Sequence, residues 1–151
     1  MQIAFYKGTH SGVPGLYNRL VRWWTKGPYS HVELVFSDGL CASSSHMDGG
    51  VRFKWIDLDP ERWDVYELPA YLEPAARRWF EVHKGAGYDL LGNLHFVIPA
   101  VGHSKERYFC SEADAAALGF PDPWRYDPNT LASAIHVFHH HQPADMAGFS
   151  L

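Results

Sequence analysis

Tyr108-Phe109-Cys110-Ser111-Glu112, read together with Tyr29-Ser30-His31-Val32-Glu33 far upstream, is the pair of stretches around which the rest of the chain is best interpreted. A cysteine entering a helix and a histidine on a strand are the two parts a thiol nucleophile needs, because imidazole can take the thiol proton and later return it.

Working outward from Cys110, Ser111 followed by Asp114 has the pattern of an N-cap with its reciprocal acid. It predicts an alanine-rich helix from Ser111 to Leu118, ended by Gly119, with Cys110 at its mouth. Amide N–H groups there stabilise a thiolate and can serve a developing oxyanion. Glu112 and Asp114 act in the opposite sense if they face the thiol, so a histidinium partner would carry most of the activation. Taken alone, a cysteine between aromatic and alanine-rich segments is more often a small core residue.

Outward from His31, residues 31 to 36 read as a strand ended by the turn Ser37-Asp38-Gly39, with Leu40 to Ser44 as hairpin partner. Asp48-Gly49-Gly50 turns the chain into Val51-Arg52-Phe53-Lys54-Trp55, where apolar and basic residues alternate as a half-solvated strand requires. Asp64 to Leu68 is a further strand, giving an antiparallel meander. Glu33 shares a strand face with His31 and either supports the imidazole or is a solvated outer charge. On the neighbouring strand Cys41 and Ser43 share a face and either could offer the imidazole a polar neighbour. Otherwise Cys41 reads as packing, and Ser43, Ser44 and Ser45 as turn formers.

The flanks supply scaffold. Ile3 to Tyr6 is a buried strand, and Leu16, Leu20 and Trp24 mark an amphipathic helix from Pro14 that packs on the sheet and stops at Gly27-Pro28. Trp23 and Trp24 are then core or groove-lining residues. Helices are expected from Leu72 to Lys84 and from Asn129 to Phe138, a turn at Gly87-Tyr88-Asp89, and a short helix or irregular apolar segment over Leu90 to Phe96. The expectation is one α+β domain over residues 1–138, an antiparallel sheet packed against a few helices, with a tail at 139–151.

At 151 residues, 46% apolar and 15% aromatic, the chain can bury a core without staples. A net charge of −4 with no Lys/Arg run argues against a nucleic-acid surface. Two cysteines make no disulfide framework, and neither a signal-like N-terminus nor an eighteen-residue apolar window occurs, so a cytoplasmic protein without a membrane span is expected. Export by another route is not excluded. His139-His140-His141 favours adventitious metal binding, so no cofactor and no metal is expected. A metal site of His31, Glu33 and Cys110 has no spacing signature.

The order of a strand opening Tyr29-Ser30-His31-Val32, a hairpin, Gly50-Val51, Gly87-Tyr88-Asp89, and then Phe109-Cys110-Ser111-Glu112 before a helix resembles the circularly permuted branch of the NlpC-type papain-like cysteine peptidases, the YiiX-like and lecithin:retinol acyltransferase-like group. The resemblance spans roughly residues 1 to 135. It implies a permuted papain-like fold with Cys110 as nucleophile and His31 as base, acting on a peptide, a peptidoglycan fragment or an acyl substrate. The compact size also looks like phage or prophage members. In that group the third polar residue often precedes an alanine on the strand after the histidine strand. Cys41 stands there here, which moves the orienting role to Glu33 or Ser43. The expected function is therefore a cysteine hydrolase of amide or ester bonds. The alternative is an inactive module of the same fold holding a peptide or glycan on Trp23, Trp24, Trp55 and Tyr29.

Overall fold

A computed structural model describes residues 1–9, 12–89 and 107–140. These form an α+β structure with a seven-stranded, mostly antiparallel sheet and four α-helices. The strands are β1 (Gln2–Tyr6), β2 (His31–Val35), β3 (Cys41–Ser45), β4 (Gly50–Lys54), β5 (Trp63–Glu67), β6 (Gly87–Tyr88) and β7 (Arg107–Tyr108). The helices are α1 (Gly12–Thr25), α2 (Glu73–His83), α3 (Cys110–Ala117) and α4 (Pro128–His140).

The strand order is β5-β1-β2-β3-β4-β6-β7, so the expected meander holds only for β2 to β4. β5 crosses back to pair with β1, from Gln2 opposite Glu67 to Tyr6 opposite Trp63. The reason lies in β1: Ile3, Ala4 and Phe5 are fully buried, and a strand covered on both faces needs a hydrogen-bonding neighbour on each side. Gly87-Tyr88, expected as a turn, is instead a two-residue strand that runs parallel to Arg107-Tyr108. Gly50 makes that junction possible. It has φ 140°, and a Cβ built on it would lie 2.0 Å from the Ala86 carbonyl oxygen, to which Val51 N–H donates at 2.9 Å.

Alternation divides the strand side chains between two layers. Ile3, Phe5, Val32, Leu34, Ala42 and Val51 form one core with Ala76 and Phe80 of α2, Ala113 and Ala117 of α3, and Leu131 and Ile135 of α4. Ala4, Tyr6, Val35, Cys41 and Trp63 form a smaller cluster capped by Ile56 and Leu58. The alanines of α3 matter because a small side chain lets a helix backbone approach the sheet closely, and Ala113 and Ala115 are wholly buried.

α1 corrects the expectation of a helix packed through its apolar face. Leu16, Leu20 and Trp23 are 60%, 54% and 73% exposed, and the helix is tied down through polar groups instead. Asn18 Nδ2 donates to Ser30 Oγ at 2.7 Å, and Arg22 Nη1 donates to the carbonyl oxygens of Lys7 and Gly8. α4 begins after Asp127, whose carboxylate accepts from the Asn129 and Thr130 N–H groups. It runs through His140, past the expected tail boundary. Leu90 to Phe96 and the chain after His140 lie outside the described residues. Among the described residues no helix is long and apolar enough to cross a membrane.

Candidate active site

β2 and β3 are each five residues long yet pair at only two positions, Leu34 with Ala42 and Val35 with Cys41. Their other ends, His31 to Glu33 and Ser43 to Ser45, are not laddered to one another. The N-terminal end of α3 takes up that opening. Ser44 Oγ donates to the Tyr108 carbonyl at 2.6 Å, and Ser43 Oγ donates to Asp114 Oδ2 at 3.4 Å. His31 and Cys110 are brought together across the same gap.

His31 Nε2 is 2.6 Å from Glu33 Oε1. With Nε2 so occupied, Nδ1 is the ring nitrogen left for the thiol. Glu33 is fully buried and also takes a two-pronged contact from Arg52, Nη1 to Oε2 at 2.7 Å and Nη2 to Oε1. Arg52 Nε in turn donates to Asp48 at 2.9 Å, and Lys54 Nζ reaches the other oxygen of Asp48 at 2.8 Å. An ordered chain of alternating charge thus runs from Lys54 through Asp48, Arg52 and Glu33 to the imidazole.

The charges follow from this chain. Burial alone would strip the His31 ring of its proton, but Cys110, by charge and hydrogen bonding, and then Glu33 outweigh it and lift the imidazole to about 9. Burial likewise opposes the Glu33 carboxylate, yet hydrogen bonds from Arg52 and His31 hold its pKa below the ordinary value. Asp48 is brought down to about 2 by Lys54 and Arg52 against its own burial.

Cys110 is the first residue of α3, and the cap differs from the expected one. Phe109, in extended backbone, is the N-cap, and its N–H donates to the Glu112 carboxylate at 3.4 Å. Phenylalanine has no oxygen to return the contact, so only half of a capping box exists. Ser111 lies inside the first turn, buried, and its hydroxyl has no hydrogen-bond partner among the described residues. The expectation of Cys110 at a helix mouth survives the correction, because the first amides of any helix lack acceptors within it.

The acids beside Cys110 are a smaller obstacle than the sequence suggests. Asp114 is fully buried, with one carboxyl oxygen unpartnered among the described residues, and its pKa is raised well above normal by that burial and then by the charges of Glu33 and Cys110. Burial pushes Glu112 up to about 8. Both shifts favour the neutral acid, which lessens the negative charge set against a thiolate.

Of the sequence candidates, Cys110, His31 and Glu33 come together. Ser43 does not join them, because its hydroxyl is directed to Asp114. Cys41 is buried in the small cluster with Val35 and Trp63, its thiol raised to about 11 chiefly by burial. Arg52 and Asp48 were missed as site residues, since an arginine on an alternating strand reads as solvated. The signal was the register: Arg52 pairs opposite Ser43 of β3, the strand that lies between it and Glu33. A groove of about 850 Å³ opens on this network, lined by His31, Glu33, Arg52, Trp55, Trp63 and Tyr88 among others. Trp55 is the one member of the proposed aromatic set of Trp23, Trp24, Trp55 and Tyr29 found in that lining. Among the described residues no group of three His, Cys, Asp or Glu side chains is disposed to hold a metal ion.

Compared with known proteins, the chain matches no family model, no curated protein and no solved structure.

Proposed function

We propose that the chain is a thiol hydrolase of permuted papain-like design, cleaving the amide of a cell-wall peptide or an acyl ester. The observation that carries this reading is the placement of His31 between Cys110 and the Arg52-held carboxylate of Glu33. In the proposed reaction the Cys110 thiolate adds to the carbonyl carbon, and the developing oxyanion is held by first-turn amides of α3. As the tetrahedral adduct collapses, the imidazolium of His31 gives its proton to the leaving amine or alcohol. Water then attacks the thioester, His31 accepts its proton, and the released acid leaves Cys110 and His31 as they began.

Glu33 orients the ring and favours its charged form, and Arg52 keeps Glu33 from turning away. The alternative of an inactive binding module is favoured by Cys41 standing where the resembled group has its polar residue, and the reading proposed here gives that role to Glu33 instead. The test is turnover of peptidoglycan peptides and of short acyl esters by the wild type and by Cys110→Ala. Loss of turnover on the preferred substrate class is expected. Unchanged hydrolysis of both classes by the variant sinks the proposal.

A further inference from the structure

α1 is built with its polar side inward. At 100° per residue Leu16, Leu20, Trp23 and Trp24 project onto a single arc about 100° wide, while Asn18, Arg22 and Thr25 fall on the far side. The far side is the one the fold holds: Asn18 on Ser30, Arg22 on the Lys7 and Gly8 carbonyls, and Thr25 Oγ1 accepting from Asn129 Nδ2 at 2.7 Å. The apolar arc cannot turn into the body without breaking those contacts. It stays outside, with Leu16, Leu20 and Trp23 each more than half exposed and Trp24 at 39%.

Charge distinguishes what this face meets. Residues 1–32 carry Lys7, Arg19, Arg22 and Lys26 and no acid, although the whole chain has a net charge of −4. Arg19 and Lys26 are exposed, and Arg19 flanks the apolar arc on the same helix. Exposed leucines beside tryptophan rings, flanked by cations on a helix that itself carries no acid, make the composition of a helix lying in a lipid–water interface. Tryptophan settles at headgroup depth, and each lysine or arginine gains from anionic lipid. An acidic protein offering such a face to a second copy of itself would oppose α1 to α1, cation against cation.

We infer that α1 docks the protein on the surface of an anionic membrane through Leu16, Leu20 and Trp23, with Arg19 and Lys26 contacting the headgroups. Asn18 and Ser30, on the inward side of this helix, line the same groove as His31, so docking holds the groove beside the lipid surface. The inference rests on α1 alone and does not need Cys110 to be a nucleophile.

Sedimentation with vesicles tests it. The full chain is expected to co-sediment with equimolar phosphatidylcholine–phosphatidylglycerol vesicles and far less with phosphatidylcholine alone. Binding should weaken at about 0.5 M salt, where the screening length falls to about 4 Å. Leu20→Gln/Trp23→Gln should lower the partition coefficient by at least about tenfold, and Arg19→Gln/Lys26→Gln by about 10- to 30-fold on the anionic vesicles. Circular dichroism checks that each variant is folded. The inference is overturned if the wild type stays in the supernatant, or if folded variants sediment as the wild type does. Self-association in the absence of lipid that Leu20→Gln/Trp23→Gln abolishes, with no vesicle binding, would assign the face to a second copy and overturn it equally.

Discussion

His31 Nε2 and Glu33 Oε1 stand 2.6 Å apart on one face of β2, joined across two residues of the same strand. An i, i+2 pair on a pleated strand is normally parallel and out of contact, and the Arg52 fork accounts for the exception by fixing the carboxylate where the ring can meet it.

Replacing that carboxylate by an amide removes its charge and little else. Glu33→Gln is expected to lower kcat/KM by about 10- to 100-fold. It should also move the alkaline limb of the pH profile toward lower pH, because the imidazolium loses an electrostatic partner. A pH–rate series on both proteins checks this, and an unmoved limb would mean that Glu33 does not act through the ring.

In the wild type the alkaline limb itself is expected near the His31 value of about 9. The folded pKa lies above the ordinary 6.5, so the histidine's contribution to stability is complete below about 6.5 and fades as pH rises through about 9. Activity that depends on the imidazolium fades over the same upper range. NMR titration of the His31 ring reads the value directly.

Arg52→Met leaves the buried Glu33 carboxylate with His31 as its one charged partner among the described residues. Breaking one side of a buried ion pair in this way should destabilise the fold by about 3–5 kcal/mol, measured by urea unfolding at neutral pH.

Glu112 has a linkage of the same sign as His31. The folded protein retains a proton that the unfolded chain gives up near 4.5, so the contribution of Glu112 to stability is complete in acid and is lost between about 4.5 and about 8. Glu112→Gln should abolish that fall and exceed the wild type by about 2–4 kcal/mol at alkaline pH. Thermal unfolding across the pH range shows whether the two curves cross.

Thiol labelling separates the two cysteines. Cys110, beside an imidazolium, is expected to react with iodoacetamide well before Cys41, whose thiol is raised to about 11 inside the small cluster. Peptide mapping after brief exposure distinguishes them, and equal modification would remove the electrostatic argument for Cys110.

Period and punctuation made much of this legible. The two-residue alternation of β2 and β4, the turn residues between strands and the alanine run after Cys110 all correspond to elements found. What failed did so for want of tertiary information. β5 cannot be assigned to the β1 edge from its own residues, because both faces of β1 are buried only by the completed fold. Arg52 looks solvated until Glu33 is set two strands away, across β3. The pattern of α1 was read correctly as amphipathic, but periodicity cannot say which side faces inward, and here four polar tethers decide it. Ser111 has the residue type of a cap, whereas the extended backbone of Phe109 places the helix start one residue earlier.

The order of the elements bears on when the proposed dyad could be assembled during synthesis. His31 and Glu33 emerge early, on β2 in the middle of the sheet. Cys110 follows only after β7, at the start of α3. Under the proposed function, a nascent chain therefore carries the base through a long stretch of its elongation before the nucleophile is made.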